Sequence, residues 1–170
     1  MLRFLVIGIN DNPQPTFTDE VKRVIDGGNV FSGGLRHHEI VGNVLPDGAQ
    51  WIDITVPLSD VYRQYRDVDD KIIIFASGDP LFFGFATTLQ REFPDVDIKV
   101  YPTFNSLQTL AHRIVMSYHD MIIVSLTGRP WNAFDAALIE GRNKIGILTD
   151  RQHTPSAIAE RMLHYGYVEY

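Results

Sequence analysis

Apolar residues along this chain fall into two alternating patterns. Short unbroken runs rich in β-branched side chains suit strands covered on both faces. Segments whose apolar residues return every three or four positions suit helices packed by one face. The predicted strands are Leu2–Ile7, Asn29–Phe31, Trp51–Thr55, Lys71–Ala76, Asp97–Tyr101, Met121–Leu126 and Lys144–Leu148. Between them the pattern predicts helices over Thr18–Ile25, Arg36–Val44 and Asp60–Arg66, a helix after Pro80, one from Asn105 to Val115, one over Trp131–Ile139 and a last one from Thr154. Start signals support several of these. Thr18 can cap the first helix, with Asp19 and Glu20 in its first turn, and Ser59 can cap the third. Asp79 can cap a helix whose first position is Pro80 and whose stripe is Leu81, Phe82, Phe85, Leu89 and Phe93. Thr154 precedes Pro155, and Gly166 lies past the end of the last helix.

Strands alternating with helices define an α/β fold with mainly parallel sheets. Pro102 to Asn105 is a natural hinge. It divides the chain into an N-terminal α/β lobe, residues 1–102, and a second lobe, residues 103–170, with only two strands and three helices. The sequence stops at Val168-Glu169-Tyr170, where another strand would begin, so the second lobe is expected to be truncated.

Composition narrows the function classes. The 170 residues carry a net charge of −6 and no run of basic side chains, which gives nucleic acid no electrostatic footing. No apolar stretch approaches the roughly 20 residues needed to cross a bilayer. The absence of cysteine rules out disulfides, thiolate metal sites and a cysteine nucleophile, and it fits a cytoplasmic protein.

In open α/β sheets, ligands bind outside the carboxyl ends of the strands. Four glycine-bearing turns fall at such ends: Gly8–Pro13, Ser32–Gly34, Ser77–Gly84 and Thr127–Pro130. The first is neither a dinucleotide fingerprint nor a P-loop, because only Gly8 is glycine. In the third, Asp79 has two compatible roles, as a helix cap and as a ligand group for an ammonium. Gly84, inside a predicted helix, costs about 1 kcal/mol relative to Ala and points to close packing or a close ligand. Arg36 and Arg129 at strand ends are either solvated or placed to pair with carboxylates of a substrate. His37, His38 and Glu39 are consecutive, so they diverge around a helix and cannot share a metal. His112, His119, His153 and His164 lack ligand spacing, and no metal site is predicted. Ser77, Ser106 and Ser125 have no identifiable base. Phe82, Phe83 and Phe85 are expected in the core.

The segments VIGIN, SGGLRHHEIV, IIIFASGDPLFFG, YPTFNSLQTLAHRIVMSYHD, SLTGRP and GILTDRQHTPSAIAERML together resemble the tetrapyrrole methylase family over essentially the whole chain. The resemblance implies two α/β lobes with S-adenosyl-L-methionine bound between them, S-adenosyl-L-homocysteine as product, and a homodimer. It implies C-methylation of a precorrin meso carbon, C5 of precorrin-7 or its cobalt form, in cobalamin synthesis. It places Gly8, Ser77, Gly78, Asp79, Thr103, Asn105 and Ser106 near the methyl donor, with Leu126, Thr127, Gly128 and Pro155 completing the pocket from the second lobe. Arg36, His37 and Arg129 become the candidate substrate-binding residues, and His37, His38 and Glu39 the candidates for any base. A C15-methylase and decarboxylase, fused or separate, is an expected partner. The first loop departs from the family's glycine-rich form, leaving its role open. A methylase acting on RNA or protein, and a non-catalytic ligand-binding module, are the rival readings.

Overall fold

The computed structural model describes residues 2–168 and clusters into two compact units, the first ending at Asn105 and the second starting at Ser106. Glu169 and Tyr170, at which a further strand is expected, lie outside the described residues.

The first unit contains β1 (Arg3–Ile9), α1 (Asp19–Asp26), β2 (Val30–Gly33), α2 (Leu35–Val41), β3 (Gln50–Asp53), α3 (Leu58–Arg66), β4 (Lys71–Ser77), α4 (Phe85–Glu92) and β5 (Asp97–Tyr101). Its sheet has the order β3-β2-β4-β1-β5, and every pairing is parallel. Successive side chains of a strand point to opposite faces, and the two cores follow that rule. Phe4 and Val6 of β1 and Ile72 and Ile74 of β4 pack with Val61, Tyr65, Leu89 and Phe93 from the side of α3 and α4. Leu5 and Ile7, with Ile73 and Phe75, pack instead with Val21, Ile25 and Val41 from α1 and α2. The unbroken apolar runs of the sequence are therefore strands buried on both faces.

One polar pair lies inside the α3/α4 face. Ser32 and Tyr65 are both fully buried. Ser32 Oγ lies 2.7 Å from Ile52 O and 2.6 Å from Tyr65 Oη. A carbonyl can only accept, so the serine hydrogen goes to Ile52 and the tyrosine hydroxyl donates to Ser32. Burial pushes the Tyr65 pKa well above the usual phenol value.

Caps decide where the helices start. Thr18 accepts from Val21 N–H, and Thr154 accepts from Ala157 N–H with Pro155 in the first turn. Two expectations fail. α3 begins at Leu58, before Ser59, and its start carries no side-chain cap bond. The helix expected from Pro80 starts only at Phe85. Asp79 Oδ1 accepts from Leu81 N–H at 2.9 Å, and the Asp79 carbonyl accepts from Phe82 N–H at 3.0 Å. This Asx turn competes with helix, as short acidic side chains do. Gly84 is thus the residue before the helix and not an interior one. A Cβ there would sit 2.4 Å from Pro80 O, the carbonyl that receives Ala86 N–H. Close packing explains this glycine. The expected stripe loses its start in consequence: Leu81 is half exposed and Phe82 stays out of the core cluster, while Phe85, Leu89 and Phe93 reach it; Phe83, also expected in the core, is half exposed.

The second unit comprises α5 (Ser106–Arg113), β6 (Ile122–Ser125), α6 (Asn132–Ile139), β7 (Ile145–Leu148) and α7 (Pro155–His164). β6 and β7 pair in parallel. Val124, Leu126, Phe134, Leu138 and Ile158 form its core. Arg161 grips Asp135 with two bonds of 2.8 and 2.6 Å, tying α7 to α6. No helix among the described residues is long and apolar enough to cross a membrane.

The buried hydroxyl pair generates an ordered prediction. Tyr65→Phe removes one bond and leaves Ser32 satisfied, so urea unfolding should show a loss of about 1 kcal/mol. Ser32→Ala strands the Tyr65 hydroxyl in an apolar face and should cost about 2 kcal/mol. The double variant should cost less than the sum. Equal losses from the two single variants would contradict the assigned direction of the bond.

Candidate functional site

The strand order fixes where the first unit has a crevice. From β1 the chain runs across α1, on one face, toward β2. From β4 it runs across α4, on the other face, toward β5. β1 and β4 are neighbours whose connections leave on opposite faces, which is a topological switch point. Gly8 and the Ser77-Gly78-Asp79 turn stand there. The turn reaches over the end of β1: Gly78 N–H donates to Ile9 O at 2.8 Å, and Thr103 N–H, beyond β5, donates to Gly78 O at 3.3 Å. Gly78 has φ +63°, the left-handed region. A Cβ on Gly8 would lie 1.9 Å from Gly78 O and 2.8 Å from Thr103 N. The three strand-end segments are thus joined through backbone alone, and only glycine fits at the junction.

A cavity of about 150 Å³ opens beside this junction, walled by Gly8, Asn10, Phe17, Tyr101 and Thr103. The β1–α1 loop that covers it keeps its shape without further glycines. Asn10 Oδ1 accepts from Asn12 N–H, and Asn12 Oδ1 accepts from Gln14 N–H, each at 3.0 Å. These consecutive Asx turns supply the bends for which a glycine-rich loop would rely on backbone freedom. Asp11 in the same loop is paired with Arg36 of α2 at 2.7 Å, an exposed contact.

His37, one residue on, turns inward. Gly34 N–H donates to its Nδ1 at 3.2 Å, and its Nε2 lies 2.9 Å from Ser77 Oγ. Burial, and secondarily the charge of Arg36, lower its pKa below the usual 6.5, while Asp11 acts weakly the other way. The neutral ring therefore carries its hydrogen on Nε2 and donates to Ser77. Neither ring nitrogen offers a lone pair to a substrate, so in this arrangement His37 is not poised as a base. His38 diverges as expected and stacks on Trp51, with ring centroids 4.1 Å apart. Glu39 is exposed.

In the second unit the ends of β6 and β7 are joined by one residue that the sequence reading missed. Asp150 accepts from Gly128 N–H at 2.9 Å, from Gln152 N–H at 2.9 Å, and from His153 at both N–H (2.7 Å) and Nδ1 (2.9 Å). The His153 and Gly128 backbone donors, first in effect, hold its carboxyl far below the usual carboxylate range. Thr127 Oγ1 donates to Thr149 O at 3.2 Å. Arg129 folds back on Ser125 Oγ and Thr127 O, at 2.9 and 3.1 Å. Leu126 is fully buried in the unit's core, Ser106 opens α5, and Pro155 opens α7. The signal for Asp150 was an aspartate following a strand and three residues ahead of a histidine. No group of three or more His, Asp or Glu that could hold a metal occurs among the described residues.

No family profile matches the chain. Its fold is that of the tetrapyrrole methylases: the solved precorrin-6Y methylase of Archaeoglobus fulgidus superposes with a TM-score of 0.66 at 23% identity, over 90% of this chain and 75% of that one. In sequence, the chain is similar to the cobalt-precorrin-7 C(5)-methyltransferase of Salmonella typhimurium, 27% identical over 162 residues, covering 95% of this chain and 78% of that protein. It is also similar to the precorrin-6Y C(5,15)-methyltransferase [decarboxylating] of a Sinorhizobium species, 29% identical over 167 residues. It spans only 39% of that relative's length. The likeness to tetrapyrrole methylases read from the sequence motifs thus holds in both sequence and fold.

Two outcomes are expected of this geometry. Gly8→Ala should destabilise by about 3 kcal/mol or more, because its methyl group would meet backbone that cannot step aside. Gly128→Ala, with φ +63° and open space around it, should cost only about 1–2 kcal/mol of left-handed strain. Thermal or urea unfolding of the pair checks the contrast. For His37, a folded pKa below 6.5 means that the unfolded chain binds its proton first as pH falls. Its contribution to stability is complete above about pH 6.5 and is lost on acidification toward its depressed folded value. His37→Asn should flatten the stability slope as pH falls below about 6.5. An unchanged slope would refute this assignment.

Proposed function

We propose that this chain carries S-adenosyl-L-methionine-dependent C-methylation at C5 of precorrin-7 or cobalt-precorrin-7, a step of cobalamin synthesis. The observation that carries the reading is the alignment of 95% of the chain with a cobalt-precorrin-7 C(5)-methyltransferase. The first unit's strand-end chemistry fits the donor. An amino-acid moiety needs a carboxylate for its ammonium and hydroxyl or amide donors for its carboxylate. The half-buried Asp79 and Thr103 and the exposed Ser77 supply these at one sheet edge, beside the cavity bounded by Gly8.

Donor contacts are assigned to Gly8, Ser77, Gly78, Asp79, Thr103 and Asn105 in the first unit, and to Ser106, Leu126, Thr127, Gly128 and Pro155 in the second. When bound, S-adenosyl-L-methionine supplies an electrophilic sulfonium methyl group and leaves as S-adenosyl-L-homocysteine. The chain's own part is alignment and exclusion of water, which needs no protein nucleophile. The glycine-locked junction serves alignment, since backbone held by backbone has little freedom to misplace a ligand. Arg36 and Arg129 pair with substrate carboxylates. Arg36 already holds one carboxylate, Asp11, and would exchange it for another of the same geometry. The same reading carries a homodimer, a cytoplasmic location and a C15-methylase/decarboxylase partner, fused or separate.

Calorimetry with S-adenosyl-L-methionine and S-adenosyl-L-homocysteine is the first test, with dissociation constants expected at about the micromolar level. Mass spectrometry of the corrinoid intermediate should then show one added methyl group. Arg36→Ala combined with Arg129→Ala should weaken substrate binding by about tenfold or more. Absence of nucleoside binding overturns the methyltransferase reading, and unchanged substrate affinity in the double variant overturns the role of the arginines.

A further inference from the structure

The geometry points to His37 as a positioning residue that makes the Ser77 hydroxyl an obligate donor to a carboxylate oxygen of the bound ligand. This deepens the proposed function and rests on it.

The argument is one of hydrogen-bond direction. Gly34 has a backbone N–H and can only donate, so His37 Nδ1 at 3.2 Å must accept. In the neutral ring the hydrogen is then on Nε2, 2.9 Å from Ser77 Oγ. Ser77 accepts that bond, so its own hydrogen is not consumed by the imidazole. With the opposite tautomer, Ser77 would spend its hydrogen on the histidine and present only lone pairs, which would repel an anion. Ser77 is exposed and stands at the carboxyl end of β4, next to the junction of Gly8 and Gly78. The chain Gly34 N–H to His37 to Ser77 therefore ends in a hydroxyl whose own hydrogen is left for an acceptor on the ligand. Consecutive bonds of one direction also polarise one another. A carboxylate is the ligand class that such a terminus selects, and the proposed reaction offers two: that of the donor's amino-acid portion and those on the tetrapyrrole rim.

The tests separate the positioning role from a structural one. In His37→Asn the shorter amide oxygen can still accept from Gly34 N–H, keeping the start of α2, but the donor to Ser77 is gone. The full chain carrying this change should keep a near-wild-type melting temperature at pH about 7.5. It should lose about tenfold in affinity for the carboxylate-bearing ligand, as should Ser77→Ala. The double variant should bind no worse than Ser77→Ala alone, because the histidine acts only through the serine.

Two arms distinguish the source of the carboxylate. S-adenosyl-L-homocysteine is compared with 5′-methylthioadenosine, which lacks the amino-acid portion. Cobyrinic acid is the probe for the tetrapyrrole rim. A loss confined to S-adenosyl-L-homocysteine assigns the bond to the donor, and one confined to cobyrinic acid assigns it to the substrate. Either supports the proposal. Additive losses in the double variant, or no loss in any arm, overturn it. Nitrogen NMR of the His37 ring gives a readout that needs no ligand: the Nε2–H tautomer is expected at neutral pH, and an Nδ1–H tautomer or an imidazolium overturns the direction assigned. If the wild-type chain binds none of the three probes, the proposed function fails, and the tautomer still decides whether Ser77 is a donor.

Discussion

The close approach of Gly8 to Gly78 is the constraint on which the candidate site depends. Two parallel strands at a switch point would ordinarily leave a gap between their departing loops. Here one loop fills that gap with its own peptide, which bonds to the strand on one side and to the next loop on the other. The arrangement tolerates no side chain at Gly8 and requires a left-handed residue at Gly78. Everything that gives the edge its chemistry, including Ser77, Asp79, Thr103 and the cavity by Phe17, is placed relative to that locked peptide. Such a junction draws rigidity from backbone geometry instead of from many side-chain contacts, so neighbouring residues can carry polar groups without loosening it.

The first unit surrounds this edge with two apolar layers that are nearly pure hydrocarbon. The buried hydroxyl pair within those layers, Ser32 with Tyr65, is hydrogen-bonded and lies on the α3/α4 face. The ligand-facing hydroxyl, Ser77, is on β4 in alternation with Ile73 and Phe75, which face α1 and α2. Polar groups therefore sit on both faces of one sheet in separate roles, one closed on itself inside the core and one directed outward at the strand ends.

Much of this architecture can be read from residue order alone, because runs such as KIIIFA allow little besides a strand buried on both faces. Paired signals located the caps at Thr18 and Thr154, where a hydroxyl residue stands directly before an acidic or proline-led first turn. The misplacement at Asp79-Pro80 has a physical cause. Those residues serve an Asx turn as well as they serve a helix start, and only the three-dimensional crowding at Gly84 decides between them. The site was legible as a set of strand-end turns, but its internal wiring was not. Nothing in GLRHHE announces which histidine turns inward, and the contact with Ser77 spans forty residues of sequence. Asp150 escaped notice because its four bonds go mostly to backbone donors, which leave no mark on residue identity.

That aspartate has a further consequence. A carboxylate saturated by backbone amides stays ionised far into acid, so the corner it organises between β6 and β7 is insensitive to any ordinary change in acidity. The imidazole clamp of the first unit is the opposite case: burial disfavours its charged form, so added protons work against the folded arrangement. The same acidification that leaves the carboxylate corner of the second unit charged therefore works against the imidazole corner of the first.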